Sequence, residues 1–300
     1  MITKNPQTCH LRAHGETGIC QLGHNYMNSL HRLKRNALRQ VFRLPGARLL
    51  GSKLPITSLE TRVSLGLGQK PMYTFGIYSA AVLAKGLGLK GISAIEFGVA
   101  GGRGLLAMEK AAEEVGRHFG IAIDVFGFDT GKGLPPATDY RDLPYKWNQG
   151  HFMMDFERLR QRLKRAQLIL GDVGETVPEF LPRIKHPLGF VSFDMDYYSS
   201  TVKAFQLWEG APETRLPRVM CYFDDICGYN DYIGELLAIS EYNRDHENMK
   251  LSPMHLLRHT QQFPASWHDQ IYMLHDFHHP LYCVSARLRA PDPDTFDLPS

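Results

Sequence analysis

Two short acidic clusters carry the strongest chemical signal in this sequence. Asp194 and Asp196 are separated by one residue, and Asp224 and Asp225 are adjacent. Each cluster follows a short apolar run that is typical of a buried parallel strand, so all four side chains are expected where strands end and open α/β sheets bind ligands. Carboxylates that converge repel one another unless a cation or a proton lies between them. The clusters therefore predict a functional site in which a cation or a proton lies between the acids, with ordinary strand-ending surface aspartates as the alternative.

A glycine-rich turn follows the first predicted strand and leads into a helix, with the sequence Gly-Val-Ala-Gly-Gly-Arg-Gly. Such a turn lets the backbone pass close to a ligand and points the amides of the helix start towards it. A cofactor with a nucleoside or a charged tail is therefore expected to contact Gly98, Val99, Ala100 and Gly101. The match to the dinucleotide pattern is poor, because Ala100 stands where the second glycine belongs. A plain tight connection between strand and helix is the alternative.

Acidic residues also follow the next two predicted strands. Asp129 ends the second strand, where a carboxylate can accept hydrogen bonds from both hydroxyls of a ribose, and Thr130 belongs to the same predicted contact. A turn-capping role is the alternative for Asp129. Gly171 and Asp172 follow the third strand and are expected to border an adenine ring. Asp172 equally suits the N-cap of the helix that follows.

The composition is that of an ordinary globular protein and argues against several classes of function. The chain has 300 residues, 43% of them hydrophobic, and a net charge of +3 from 34 Lys and Arg against 31 Asp and Glu. This balance does not call for a nucleic-acid partner. We expect no membrane span and no export signal, because no apolar stretch is long enough. Five cysteines without a metal or disulfide spacing indicate reduced thiols and a cytoplasmic protein.

Residues 1–70 are heterogeneous and form a predicted N-terminal extension, which would act as a lid or as a contact in a homo-oligomer. They contain one amphipathic pattern, over 26–42, in which basic and apolar residues are interleaved at helical spacing. We interpret it as a solvated helix face, with an anionic surface or an RNA contact as the alternative. The predicted main domain covers 71–290, and a tail covers 291–300.

From residue 72 onwards strand and helix patterns alternate, which predicts a parallel, doubly wound α/β sheet with right-handed crossovers. The predicted strands are 92–97, 121–128, 166–170, 188–193 and 219–223. The predicted helices are 74–84, 105–118, 152–164, 175–181, 200–209 and 232–244. Two further β-rich segments, 270–275 and 281–287, predict an antiparallel hairpin added at the end of the sheet.

The order of these motifs resembles the class I S-adenosylmethionine-dependent methyltransferases, and more closely the macrocin O-methyltransferase-like family, whose members methylate sugar hydroxyls of natural products with magnesium. The resembling motifs are Glu-Phe-Gly-Val-Ala-Gly-Gly from Glu96, Gly-Phe-Asp-Thr-Gly-Lys-Gly-Leu-Pro from Gly127, Asp-Met-Asp-Tyr-Tyr-Ser-Ser-Thr from Asp194, and Phe-Asp-Asp from Phe223. Each is short, and their joint order is the specific part. The resemblance implies a Rossmann-like methyltransferase fold with a mostly parallel seven-stranded sheet that ends in an antiparallel hairpin.

The resemblance also implies roles for individual residues. At the methionine end of S-adenosylmethionine it implies contacts from Glu96, Gly98 and Gly101, and at the ribose a contact from Asp129. The residues that match the family's magnesium ligands are Asp194, Asp224 and Asp225, of which Asp194 also borders the predicted cofactor site. Asp196 matches the family's proposed proton acceptor.

The reaction implied by the resemblance is methyl transfer from S-adenosylmethionine to a hydroxyl of a small, diol-containing acceptor, a sugar. Mg²⁺ would lower the pKa of the hydroxyl, and Asp196 would accept its proton. A nucleotide-linked dehydrogenase is one alternative; it uses the glycine-rich turn and Asp129 but leaves the acidic clusters unexplained. A non-catalytic S-adenosylmethionine-binding module is the other, and it predicts cofactor binding without metal dependence.

Some features depart from the family pattern or offer further candidates. Lys132 stands where the family's second motif has an acid, and this puts the local charge and the choice of substrate in question. Histidines, among them His151 and a group near the C-terminus, are alternative bases. Trp147, Tyr197 and Tyr198 are candidate walls for a sugar ring, although core packing is the favoured interpretation for Tyr198.

Overall fold

The computed structural model describes residues 58–226 and 230–286. Seven strands form one sheet: β1 (Gly91–Phe97), β2 (Ala122–Asp129), β3 (Gln167–Leu170), β4 (Leu188–Phe193), β5 (Arg215–Phe223), β6 (Met249–Pro253) and β7 (Ile271–Asp276). Their order across the sheet is β3-β2-β1-β4-β5-β7-β6. The first five of these are parallel, and β7 runs antiparallel to both β5 and β6. The predicted fold class, a doubly wound and mostly parallel α/β sheet with an antiparallel end, is confirmed.

Helices alternate with these strands. The α-helices are α1 (Leu59–Leu65), α2 (Pro71–Gly86), α3 (Arg103–Phe119), α4 (Phe156–Arg162), α5 (Val173–Phe180), α6 (Tyr198–Ala204), α7 (Gly234–Asp245) and α8 (Leu257–Thr260). Short 3₁₀ helices cover Tyr140–Asp142, Leu181–Arg183, Phe205–Glu209, Pro212–Thr214, Asp224–Ile226 and Ser266–Gln270. In α3, residues spaced three or four apart are buried, among them Leu105, Met108 and Val115, as expected for an amphipathic helix with one face on the sheet.

The central strands are buried along their whole length. Every residue of β1 and of β4 is buried. Strands that are covered on both faces read as continuous apolar runs rather than as alternating patterns. This is why the apolar runs of the sequence located them: β4 has the predicted bounds, and β1 begins one residue before its predicted start.

The register of the parallel strands brings the predicted site residues to one edge. Phe97 pairs with Phe128 in β2 and with Phe193 in β4, and Phe193 pairs with Phe223 in β5. These four phenylalanines are buried and lie at or next to the carboxyl ends of their strands. The residues that directly follow them, which include the first acid of each cluster, therefore emerge side by side.

The antiparallel end of the sheet is built from other segments than predicted. The strand expected over 270–275 is present as β7, but its antiparallel partners are β5 and β6. The strand expected over 281–287 is wrong for the residues described there, because 281–284 form turns, with the Val284 amide donating to the Leu281 carbonyl. Both edges of β7 are already occupied by β5 and β6, so a third strand has no edge of β7 to join.

The other predicted elements of the main domain are present, with shifted ends. The segment predicted as one helix over 200–209 is α6 followed by the 3₁₀ turn Phe205–Glu209. The helix predicted over 152–164 is shorter, and begins after Asp155, whose side chain accepts from the Arg158 amide as an N-cap. β5 begins at Arg215, four residues before the predicted strand.

Several predictions fall on residues outside the described ranges. The amphipathic helix over 26–42, most of the extension over 1–70 and the tail over 291–300 lie there, and the boundaries at 70 and 290 stay predictions. The described residues belong to one compact unit, Ser52–Ser300. Within 58–226 and 230–286, the helices are too short or too polar to cross a bilayer.

Candidate functional site

A cavity of about 730 Å³ opens at the carboxyl edge of the parallel strands. The predicted site residues that line it are Glu96, Gly98, Val99, Ala100, Gly101, Asp129, Thr130, Asp172, Asp194, Asp196, Asp224 and Asp225. Gly171 does not line it; its amide donates to the carbonyl of Asp129 at 3.0 Å. The structure therefore brings the glycine-rich turn and both acidic clusters to one cavity.

The carboxylate of Asp129 holds the glycine-rich turn. Its Oδ2 accepts hydrogen bonds from the amides of Val99 at 2.9 Å and Ala100 at 2.8 Å. Its Oδ1 accepts one from the amide of Gly131 at 2.6 Å. Bonds of this kind to an ionised group are stronger than those between neutral groups. Two amides that a phosphate would use at this turn therefore already have an anionic partner.

The backbone of the turn passes very close to the strand end that carries the first acidic cluster. Gly98 has a φ of +81°, and a Cβ at this position would lie 1.8 Å from the carbonyl oxygen of Asp194. Ala100 also has a positive φ, of 44°. A Cβ on Gly101 would meet nothing within 4 Å, so this residue faces the open space of the cavity. Glycine is required at position 98 by both conformation and space.

Glu96 lies at the end of β1 and is almost completely buried, at 1% exposure. The hydroxyl of Tyr73 donates to its Oε1 at 2.6 Å, and Ser192 Oγ donates in turn to the Tyr73 hydroxyl at 3.0 Å. Burial raises the pKa of Glu96 to about 8; the Tyr73 hydrogen bond opposes this rise, and the nearby charge of Asp194 adds to it. Within the described chain, its Oε2 has no hydrogen-bond partner.

Three carboxylates converge as the clusters predicted. Asp194, Asp224 and Asp225 each offer one oxygen, and these oxygens all lie within 4.8 Å of one another. Burial raises the pKa of Asp194 to about 7, and the charges of Asp224 and Asp225 contribute to the rise. Lys70 opposes it, with Nζ 4.0 Å from Oδ2 of Asp194. Ionising all three groups in this volume is unfavourable without further positive charge.

The turn that carries Asp224 and Asp225 is fixed by hydrogen bonds. The hydroxyl of Tyr222 donates to Oδ1 of Asp224 at 2.5 Å, and Nε2 of Gln270 donates to the Asp224 carbonyl at 2.5 Å. The amide of Asp225 donates to Oε2 of Glu235 at 3.0 Å. These contacts come from β5, from the segment before β7 and from α7, so three elements hold the second cluster in place.

Asp196 lies beside the three converging carboxylates. It is buried and has a φ of +60°, an uncommon conformation for a residue with a side chain. Its amide donates to Oδ2 of Asp225 at 3.1 Å. Burial raises the pKa of Asp196 to about 8, and the charges of Asp225 and Asp194 add to the rise. The strained backbone turns Asp196 towards the second cluster rather than along the line of β4.

Asp172 is the N-cap of α5 as well as a cavity residue. Its Oδ1 accepts from the Gly174 amide at 2.7 Å, and its Oδ2 lies 2.7 Å from Nζ of Lys203. Thr130 Oγ1 donates to the carbonyl of Gly133 at 2.9 Å and so shapes the turn after β2. Both side chains thus have local partners at the border of the cavity.

Of the histidines and aromatic residues predicted as bases or as walls of the site, most of those described lie outside the cavity. No histidine of residues 58–226 or 230–286 lines the cavity. Tyr197 is fully buried, and Tyr198 donates from its hydroxyl to Glu241, so neither forms a cavity wall. Trp147 does line the cavity, next to Phe152, with ring centroids 5.4 Å apart.

Three site residues were not found from the sequence. Lys70 and Tyr73 lie at the start of α2, more than twenty residues before the glycine-rich turn, and Glu235 lies in the first turn of α7. Isolated residues of these types carry no pattern. The one weak signal is the acid at the start of a predicted helix, which is also common for electrostatic reasons alone.

Comparisons with known proteins concern the fold. No protein-family model matches the chain, and no curated protein matches it. The solved structure of CalS11, a calicheamicin methyltransferase, is 22% identical, covers 75% of this chain and 87% of that chain, and has a TM-score of 0.48. An O-methyltransferase from Bacillus cereus in complex with SAH is 10% identical, over 78% and 98% of the two chains, with a TM-score of 0.38. TomG of Streptomyces achromogenes, an O-methyltransferase involved in tomaymycin synthesis, is 11% identical, over 79% and 98%, with a TM-score of 0.36.

The position of β7 decides which doubly wound fold this is. Dinucleotide-binding folds have the strand order 3-2-1-4-5-6. Here β7 lies between β5 and β6 and runs antiparallel to both. This is the class I methyltransferase fold. In this methyltransferase fold the strand order reverses between β1 and β4, and the cavity lies over that point, between Gly98 and Asp194.

Proposed function

We propose that this chain transfers a methyl group from S-adenosylmethionine to a hydroxyl of a small, diol-containing acceptor, a sugar, with the help of a bound Mg²⁺ ion. One observation carries the proposal. The three oxygens of Asp194, Asp224 and Asp225 that lie within 4.8 Å of one another belong to the same cavity as the glycine-rich turn. A cation site and a cofactor site in one cavity can act on a single acceptor group.

The residues around the turn fit a cationic cofactor. Asp129 already accepts from the amides of Val99 and Ala100, and the carboxyl groups of Glu96 and Asp194 line the same cavity. A pyrophosphate would meet negative charge here instead of free amides, whereas a sulfonium and an ammonium group would be attracted. This arrangement favours S-adenosylmethionine over a nicotinamide dinucleotide, and it disfavours the dehydrogenase alternative.

The acidic clusters fit a divalent cation of the hard type. Three carboxylates supply the oxygen ligands that Mg²⁺ prefers, and few enough of them to leave positions for acceptor oxygens. The residues that would hold the ion are Asp194, Asp224 and Asp225. Because the hydroxyl of Tyr222 already donates to Oδ1 of Asp224, this side chain is held in a fixed direction.

The chemistry divides between the bound groups and the chain. When bound, S-adenosylmethionine supplies an electrophilic methyl group, and Mg²⁺ supplies polarisation that lowers the pKa of the acceptor hydroxyl. Asp196 borders the same part of the cavity and accepts the proton of that hydroxyl. The turn between Gly98 and Gly101 fixes the direction of the cofactor relative to the acceptor, which is the main requirement of a displacement at carbon.

The remaining wall of the cavity suits the carbon framework of the acceptor. It includes the apolar residues Leu134, Pro135, Pro136, Trp147 and Phe152. Apolar walls with a few polar groups are usual in sites for small molecules, and aromatic rings pack against the C–H faces of sugars. The Nε1 atom of Trp147 is buried and has no hydrogen-bond partner within the described residues.

Binding and turnover assays on the purified chain test the proposal. We expect S-adenosylhomocysteine to raise the melting temperature and NAD⁺ to leave it unchanged. With S-adenosylmethionine and a library of sugars and other diols, mass spectrometry should detect a methylated product with Mg²⁺ and none with EDTA. Stabilisation by NAD⁺ alone would support the dehydrogenase. Cofactor binding without metal binding or turnover would support the non-catalytic module. The homo-oligomeric state and the cytoplasmic location stay predictions.

A further inference from the structure

Glu235 is a buried acid that the proposed reaction does not use. It lies in the first turn of α7 and is 1% exposed. Its Oε2 accepts the hydrogen bond from the Asp225 amide at 3.0 Å. Its Oε1 is buried and has no hydrogen-bond partner in the described part of the chain.

The surroundings of Glu235 make this arrangement unfavourable for the isolated protein. Burying a carboxylate with one unpartnered oxygen is expensive unless a cation or a proton compensates it. The hydrogen-bond partner of Glu235, Asp225, is itself an acid, and the carboxylates of Asp194 and Asp224 converge with that of Asp225, so the nearby acids have the same sign of charge. The helix start is favourable for an acid, but this effect is small beside the burial of an unpaired charge.

A neutral group would serve the local structure equally well. The other side chains that hold the second cluster, Tyr222 and Gln270, are neutral. Accepting one hydrogen bond from the Asp225 amide requires an oxygen and not a charge. A carboxyl group at this position is therefore best explained by a requirement for negative charge next to Asp225.

We propose that Glu235 is a positioning residue of the metal centre, the fourth acid of the site: it fixes Asp225 through Oε2, and its charge helps to neutralise a divalent cation held by Asp194, Asp224 and Asp225. This inference rests on the proposed function, since it needs a cation in the cavity. It adds a residue ten positions after Asp225 that none of the motifs includes.

The test compares the Mn²⁺ affinity of the wild type with that of variants at position 235. The affinity is measured by electron paramagnetic resonance on the full chain without cofactor or acceptor. Glu235→Gln keeps an oxygen for the Asp225 amide and removes the charge, and we expect Mn²⁺ to bind it at least about tenfold more weakly than the wild type. Glu235→Asp keeps the charge on a shorter side chain and should bind Mn²⁺ more tightly than Glu235→Gln. The matched control is Glu241→Gln on the same helix, where the acid accepts from Tyr198 and should not affect Mn²⁺.

A purely structural role predicts a different pattern. Metal-free Glu235→Gln should melt no lower than the wild type, because it keeps the oxygen that accepts from the Asp225 amide, and yet its melting temperature should rise less on addition of Mn²⁺. A loss of metal-free stability with unchanged Mn²⁺ affinity would overturn the inference and leave the proposed function intact. If Glu235→Gln does not fold, Glu235→Ala replaces it, since it removes the charge as well, and unchanged Mn²⁺ affinity in Glu235→Ala overturns the inference equally. If the wild type itself binds no Mn²⁺, both this inference and the metal part of the proposed function fail, and binding of S-adenosylhomocysteine then tests the cofactor part separately.

Discussion

Phe193 and Phe223 stack face to face, with ring centroids 4.6 Å apart and ring planes within 6° of parallel. They are the last residues of β4 and β5, and each directly precedes an acid of the site, Asp194 or Asp224. Packing of the two rings at the ends of β4 and β5 therefore fixes the distance between the two acidic clusters. The site is held by the rigid core of the sheet and not by loop contacts alone, which is the arrangement that preorganised metal sites require.

Substitution of Asp224 should separate metal binding from cofactor binding. Asp224→Asn removes one charge and one ligand oxygen after β5, which is two strands away from β1, the strand that leads into the glycine-rich turn. We expect the affinity for Mn²⁺ to fall by more than about 100-fold and methyl transfer to be lost. Affinity for S-adenosylhomocysteine, measured by calorimetry, should stay within about threefold, a difference below 1 kcal/mol. Asp245→Asn, on the surface of α7, is the control. If Asp224→Asn lost affinity for Mn²⁺ and for S-adenosylhomocysteine equally, this assignment would be contradicted.

Asp129 is expected to act on the cofactor alone. In Asp129→Asn, the amides of Val99 and Ala100 lose their charged acceptor, and each such bond contributes about 1.5–3 kcal/mol. We expect the affinity for S-adenosylhomocysteine to fall at least about tenfold, with Mn²⁺ affinity unchanged. Calorimetry with the two ligands in turn measures this. Asp124→Asn, near the start of the same strand and paired with His186, serves as control. Unchanged cofactor affinity in Asp129→Asn would show that the turn does not depend on this carboxylate.

Alanine substitutions at two glycines of the turn should have different effects, one on stability and the other on cofactor binding. Gly98→Ala places a methyl group against the Asp194 carbonyl at a positive φ, and we expect it to lower the free energy of unfolding by about 3 kcal/mol or more. Gly101→Ala meets no atom within 4 Å, so stability should change by less than about 1 kcal/mol. The added methyl group instead enters the cavity and should weaken binding of S-adenosylhomocysteine. Urea unfolding and calorimetry on both variants measure this, and a stable Gly98→Ala protein would contradict the close approach of the turn to β4.

Glu96 makes stability depend on pH with a defined sign. Its pKa is about 8 in the folded protein against 4.5 for the exposed group, so between these values the folded state holds a proton that the unfolded state has released. This contribution is complete below about pH 4.5 and is lost as the pH rises towards 8, by up to about 1.4 kcal/mol per pH unit. Tyr73, Asp194, Lys70 and Asp129 are the groups that act on it, and they are unchanged in Glu96→Gln.

The comparison for Glu96 is between the wild type and Glu96→Gln, in urea unfolding at pH 5, 6.5 and 8. Glu96→Gln does not titrate at this position, so its stability should fall less steeply than that of the wild type as the pH rises. The other buried acids are present in both proteins, so the difference between the two profiles reports Glu96 together with its interaction with Asp194. Parallel pH profiles would mean that Glu96 is charged in the folded protein throughout this range.

The parts of the fold that the sequence predicted well are those where burial is uniform. β4 is buried along its whole length and was predicted with its observed bounds. β5 was predicted too short, because it begins with Arg215, whose burial depends on a salt bridge of 2.7 Å to Asp276 in β7. β6 was missed, because Leu251 is its only fully buried residue. Pairing between distant segments, and not local pattern, determines these last two strands.

The residues of the candidate site were likewise predicted where a local pattern exists and missed where it does not. Clustered acids and glycines that directly follow apolar runs were found, because the edge of a parallel sheet collects the residues that follow its strands. Lys70 and Glu235 were not found, because they contact the acidic clusters from the starts of helices and only the packed fold shows these contacts. The role of Asp129 as an acceptor for the turn could not be predicted either, since it depends on the distance between two neighbouring strand ends.

The most direct test of the account is a crystal soaked with Mn²⁺ and S-adenosylhomocysteine, in which anomalous scattering locates the metal. We expect one strong peak at about 2.1 Å from carboxylate oxygens of Asp194, Asp224 and Asp225, with S-adenosylhomocysteine lying along the turn from Gly98 to Gly101 in the same cavity. Mn²⁺ bound elsewhere, or S-adenosylhomocysteine absent from this cavity at saturating concentration, would contradict it.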